Sequence, residues 1–223
     1  MIGDDIIARD YMALKKMITQ DYPYEIILDD NFYYIFFQIY RKILSEHSAI
    51  QNKFYSDNGQ GIINLIYLDH YLILCYRLSN YLYKNNSLEL ANAIYYSSKL
   101  RCSTDLFYTT EIGPYFIPVH SLGTIIDSHA TYGYLFKIYN EVHIGPYNII
   151  GKDPSHWEHP VFGNGVTLLS KVSIFGKTII GNNVIVSSGA VIINEIIPDD
   201  CIVIGQSPNL YFMPLKEKNT NLI

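Results

Sequence analysis

The sequence predicts an α+β chain, with a helical region first and a parallel β-helix after it. Two observations carry this prediction. From Phe162 every sixth residue is large and apolar: Phe162, Leu168, Ile174, Ile180, Val186, Ile192. The residue four after each is small or β-branched: Val166, Val172, Thr178, Val184, Ala190, Ile196. A six-residue beat is the mark of a β-helix, in which three hexapeptides close a triangular coil of about 18 residues. The second observation is that residues 1–104 lack the beat, hold only Gly3, Gly59 and Gly61, and show helical spacing instead.

In the helical region, Asp30-Asn31 followed by Phe32, Phe36, Phe37, Tyr40, Ile43 and Leu44 predicts a capped amphipathic helix. Residues 56–61, Ser-Asp-Asn-Gly-Gln-Gly, predict a loop. Residues 62 to about 83 read as a second, mostly buried helix, and residues 88 to about 100 as a third. The composition changes near residues 102–105. This gives a helical domain over 1–104 and a coil domain over 105–223.

The coil starts near Ile112-Gly113 and continues through Ile126, Tyr132, Ile138 and Ile144, with Ala130, Phe136, Val142 and Asn148 as their plus-four partners. Gly163 and Gly181 follow two beat positions, and Gly205 is expected in the same slot after Ile204. The polar stretch Gly151-Lys152-Asp153-Pro154-Ser155-His156-Trp157-Glu158-His159 does not fit a strand-per-six coil. It predicts a projecting loop near 146–160, and loops on rigid scaffolds often carry functional residues.

The net charge of −5 argues against nucleic acid as a partner, and no basic run points to an anionic membrane surface. The most hydrophobic stretch, residues 62–74, contains Asp69 and His70 and falls short of a membrane span. Cys75, Cys102 and Cys201 are too sparse for a disulfide framework and suit a reducing cytoplasm. The amino-terminal residues show no apolar signal core.

Several residues sit where a known family carries its chemistry. Asp105, Ile112-Gly113 and His120-Ser121-Leu122-Gly123 follow one another at fixed spacings, and His159-Pro160 lies downstream. In these residues the chain resembles the serine O-acetyltransferases, left-handed β-helix enzymes, from about residue 64 onward. The left hand of the coil is what the resemblance implies. It also implies acetyl-coenzyme A as co-substrate and a homotrimer, with pairing of two trimers left open.

Acetyl transfer to an alcohol needs a base for the hydroxyl proton, and histidine has a suitable pKa. The resemblance makes His120 that base, and a carboxylate on its other ring nitrogen would fix the tautomer. Asp105 takes this part. Its fifteen-residue separation is nearly one coil, which would place it about one rung, roughly 5 Å, from His120. A competing segment, Asp127-Ser128-His129-Ala130-Thr131, looks locally like the family's Asp-His-Ala-Thr box, but the ungapped spacing favours His120. His159 reads as a residue that positions the acceptor, with Glu158 beside it and Trp157 as a wall. Gly145, Ser170 and Ser188 are the small residues expected along the coenzyme A arm. No metal is expected.

The chain departs from the family at two points. Val119 stands where the family has aspartate before the first histidine, and Glu158 stands where it has arginine before the second. Losing both removes partners for an amino acid's ammonium and carboxylate, and unpaired polar groups are costly in a pocket. The first reading is therefore O-acetylation of a sugar hydroxyl in a surface polysaccharide or its precursor. A serine or related amino-acid acetyltransferase is the second. A metal-dependent lyase or a non-catalytic trimeric scaffold is the third.

Overall fold

The computed structural model describes residues 3–147, 151 and 153–215. The chain divides into two compact units between Cys102 and Ser103.

The first unit holds four helices: α1 (Asp4–Asp21), α2 (Asp30–Ser48), α3 (Leu68–Lys84) and α4 (Leu88–Cys102). Helix α2 buries Phe32, Phe36, Tyr40, Ile43 and Leu44, as its spacing predicts. Its N-cap is Asp29, one residue earlier than expected: the Asp29 carboxylate accepts from the Phe32 amide at 2.9 Å. Helix α3 starts six residues later than predicted. The Asn64 side chain accepts from the Ile66 amide, and the Asn64 carbonyl accepts from the Tyr67 amide, so this segment turns instead. Helix α1 had no counterpart in the sequence reading. Its carboxyl end is tied to α4, where Arg101 donates to both oxygens of Asp21 and Ser97 Oγ bridges Asp21 to the Tyr71 hydroxyl.

Two histidines are buried in this unit, with ring centroids 5.1 Å apart. His47 Nδ1 donates to the Ile62 carbonyl at 2.6 Å, and the Asn64 amide donates to His70 Nδ1 at 3.0 Å. The second bond requires an unprotonated His70 Nδ1. Burial pushes His47 down to about 4 and His70 down to about 3. Both folded pKa values lie below the unfolded value near 6.5, so the unfolded chain binds more protons on acidification. Stability is therefore full above about pH 6.5 and falls progressively as the pH drops towards 4. The thermal midpoint, followed by circular dichroism, is expected to fall over that window and to fall less in a His47→Gln/His70→Gln variant.

The second unit is a parallel β-solenoid of about five turns. One face stacks Asp105–Leu106, Ile125–Ile126, His143–Gly145, Ser173–Phe175 and Val191–Ile193. The next stacks Glu111–Ile112, Thr131–Tyr132, Val161–Phe162, Ile179–Ile180 and Ile196–Ile197. The third stacks Ile117–Pro118, Lys137–Ile138, Thr167–Leu168, Ile185–Val186 and Cys201–Gln206. The beat residues from Phe162 to Ile192 all point inward and are buried. Asn148 lies outside the described residues.

Coil length varies, and this corrects two expectations. Leu106 pairs with Ile126 and Ile112 with Tyr132, so the first coil takes 20 residues rather than 18. The extra length sits in the corner after Pro118, where His120 (φ 50°) and Gly123 (φ 70°) adopt left-handed backbone. Near the carboxyl end Ile180 pairs with Ile197, so that coil takes 17. Ile197 is therefore buried while Ile196, expected inside, is 74% exposed. By the same shift Val203 points inward and Ile204 outward. Gly205 sits in the long strand Cys201–Gln206, which an antiparallel strand, Asn209–Pro214, covers along one edge.

One corner of the solenoid carries a ladder of side-chain caps. Asn164 Oδ1 accepts from the Tyr134 amide, Asn182 Oδ1 from the Asn164 amide, and Asp199 Oδ1 from the Asn182 amide. Beside it runs a glycine column: Gly113, Gly133, Gly163 and Gly181 lie so close that a Cβ on each of the first three would fall within 3.0 Å of the next coil's backbone.

Candidate active site

The 30-residue step from Thr131 to its rung partner Val161 makes room for a projecting segment. Within it a short 3-10 turn, Pro154–His156, is capped by the Asp153 carboxylate, which accepts from the Ser155 amide at 2.9 Å. The chain then returns to the coil through Trp157, Glu158 and His159. Lys152 and residues 148–150, part of the predicted loop, lie outside the described residues.

That return brings His159 to the corner after Ile125–Ile126. His159 Nδ1 donates to Asp127 Oδ2 at 2.6 Å. Asp127 is buried, and its other oxygen accepts from the His129 amide at 2.9 Å. Its carbonyl accepts from the Tyr132 hydroxyl. The carboxylate is thus locked by its own turn and aimed at His159. The His129 ring lies 5.0 Å from the His159 ring, tilted by 32°. The His129 side chain is 73% exposed and that of His159 is 18% exposed. Ser128 Oγ lies 3.1 Å from His129 Nδ1.

The geometry is that of a carboxylate–imidazole pair. With Nδ1–H held by Asp127, the lone pair of His159 is left on Nε2, the atom that can take a proton. The sequence reading placed His159 in a site but passed over Asp127 and His129. The signal was the Asp-Ser-His-Ala-Thr segment, set aside because it broke an ungapped spacing.

Asp105 lies in the first strand of the coil and is half-buried, and His120 is exposed in the corner after Pro118. Asp105 pairs with Ile125, and the corner carrying His120 stacks on the residues just before Asp105, with Thr104 Oγ1 donating to the Ser121 carbonyl and the Gly123 amide to the Ser103 carbonyl. Val119 precedes His120 and is half-buried. Glu158 is exposed, with an oxygen 3.9 Å from Lys177 Nζ. Trp157 is half-buried. Ser170 and Ser188 occupy one corner of adjacent coils, where the Gly189 amide donates to the Ser170 carbonyl and Ser170 Oγ donates to Asn140 Oδ1. Gly145 is buried, with the Phe175 ring packed over the place a side chain would take.

This fold and repeat define a hexapeptide-repeat parallel β-helix protein. No family model matches the chain. Among curated proteins it is similar to serine acetyltransferases. It is 26% identical to that of Synechococcus elongatus over 148 residues, which cover 66% of this chain and 58% of the cyanobacterial protein. It is 24% identical to that of Helicobacter pylori over 155 residues, covering 70% of this chain and 84% of the relative. Among solved structures, serine acetyltransferase from Brucella abortus in complex with coenzyme A superposes with a TM-score of 0.66 at 18% identity, covering 91% of this chain and 81% of that one.

Proposed function

We propose that the chain is an acetyl-coenzyme A-dependent O-acetyltransferase of the serine acetyltransferase type. The observation that carries the site is the His159–Asp127 pair on a rigid coil. In this reading His159 Nε2 takes the acceptor's hydroxyl proton as the oxygen attacks the thioester carbonyl. Asp127 holds the imidazole in the right tautomer and stabilises it while charged. The same nitrogen returns the proton to the departing sulfur. His129, tilted beside it, positions the acceptor with Trp157 as a wall.

Ser170 and Ser188 form a shelf of short side chains that suits the pantetheine arm, while Gly145, covered by Phe175, is better placed to let that ring lie flat. His120 with Asp105 remains the competing base pair. The relatives favour serine over the sugar acceptor drawn from Val119 and Glu158. With the reacting centre at Asp127, Val119 no longer stands next to the catalytic histidine. A neutral sugar acceptor keeps one supporting observation: Glu158 puts a carboxylate where an acceptor carboxylate would have to sit.

Thiol release from acetyl-coenzyme A decides between them. Turnover with L-serine but not with a sugar panel is expected. Turnover with a sugar alone would restore the glycan reading.

A homotrimer is part of this proposal. The outward residues Val161, Ile179 and Ile196 form an apolar ladder, 43%, 41% and 74% exposed, on one face of the coil, which a second copy would cover. A cytoplasmic setting is supported by Cys75, Cys102 and Cys201, three buried thiols outside any disulfide. Among the described residues no helix is long and apolar enough to cross a membrane.

A further inference from the structure

We propose that Asp127, His129 and His159 form a binding site for a divalent transition-metal ion such as Zn²⁺. Among the described residues this is the one group of three His, Cys, Asp or Glu side chains whose donor atoms all lie within 4.8 Å of one another. Bonds of about 2.0–2.2 Å to imidazole nitrogen and carboxylate oxygen bring two ligand atoms of one ion to within roughly 4 Å. His129 Nδ1 already lies 3.7 Å from Asp127 Oδ1. The closer His159 Nδ1–Asp127 Oδ2 contact of 2.6 Å is a proton-bridged bond. In the metal-bound form that bridging proton moves to Nε2 of the same ring, leaving the Nδ1 lone pair for an ion held also by Asp127 and His129. Two imidazoles and a carboxylate suit zinc, cobalt or nickel better than magnesium or calcium. Buried Asp127 is fixed by the His129 amide, so the carboxylate at the centre of the group is ordered before metal arrives.

With the ion on Nδ1 and the ring proton on Nε2, His159 has no lone pair left for the proton that acetyl transfer must move. Bound metal is therefore inhibitory rather than catalytic, and this consequence alone rests on the function proposed above. The test uses Co²⁺ as a spectroscopic probe and Zn²⁺ as its competitor, with the full-length protein. Saturable visible absorption at one Co²⁺ per chain, bleached by Zn²⁺, is expected. His129→Ala, His159→Ala and Asp127→Asn should each weaken binding at least tenfold, as expected for loss of a direct ligand. His156→Ala, in the neighbouring 3-10 turn, should leave binding unchanged. Circular dichroism confirms that each variant is folded.

Absence of a saturable signal, or a signal that survives in the His129→Ala/His159→Ala double variant, overturns the site. Zn²⁺ is expected to suppress thiol release, and a chelator to restore it. Binding without suppression leaves the metal site standing and moves proton transfer elsewhere, with His120 the first candidate.

Discussion

Replacing His159 by alanine is expected to lower kcat for acetyl transfer by about 10²–10⁴-fold, the usual contribution of a general base. The coil should stay folded, because His159 sits where a projecting segment rejoins the scaffold and its side chain fills no core position. Asp127→Asn is expected to lower kcat as well while keeping the carboxamide in the same buried turn. An amide oxygen still accepts from His159 Nδ1, but the imidazolium loses its counter-charge. His129→Ala should act mainly on the acceptor's KM, since that ring lies beside the pair and is widely exposed. His120→Ala should change neither constant by more than a few fold. The reverse pattern, with His120→Ala inactive and His159→Ala active, would transfer the base to the amino-terminal coil. The measurement is steady-state thiol release at varied acceptor and saturating acetyl-coenzyme A.

Gly163→Ala is expected to destabilise the coil by about 3 kcal/mol or more, at the upper end of overpacking costs. The added Cβ would lie 2.8 Å from the Gly181 carbonyl carbon and oxygen and 2.9 Å from the Asn182 nitrogen. All three atoms are backbone, so no side chain can rotate away. The clash pushes apart two coils that also share the Asn164–Asn182 cap. Gly145→Ala is the control. Its Cβ would meet only Phe175 ring carbons at 3.7 Å, an ordinary contact, and a loss below about 1 kcal/mol is expected. Thermal unfolding compares the two.

The solenoid was legible because its core repeats. Most inward positions are apolar and each strand is two or three residues long over most of the coil, so six residues suffice to reveal the period. Coil length was harder to read. The two added residues around His120 and the one lost before Ile197 change corners, not faces, and corner residues carry no hydrophobic signal. That difference bears on the site: the first coil takes 20 residues and pairs Asp105 with Ile125, with His120 in the lengthened corner before it.

The Asp127–His159 contact spans 32 residues and depends on where an irregular segment returns, which no periodicity encodes. Helix α1 escaped notice for a related reason. Its buried residues, Ile7, Tyr11, Leu14 and Ile18, do follow helical spacing, but Asp10 shares that face and is bound by Arg9 and Tyr40. A buried carboxylate disguises an apolar stripe until its partners are known.

The ladder of caps from Asn164 through Asn182 to Asp199 has a direction. Each coil's corner amide is held by a side chain from the next coil towards the carboxyl end. A coil can therefore lose its clamp only after its successor has moved. Under tension applied at the carboxyl end, such a stack yields as a row of latches released in order, because every coil bonds chiefly to its neighbours. Each release frees one coil of chain, on the order of 60 Å for about 18 extended residues.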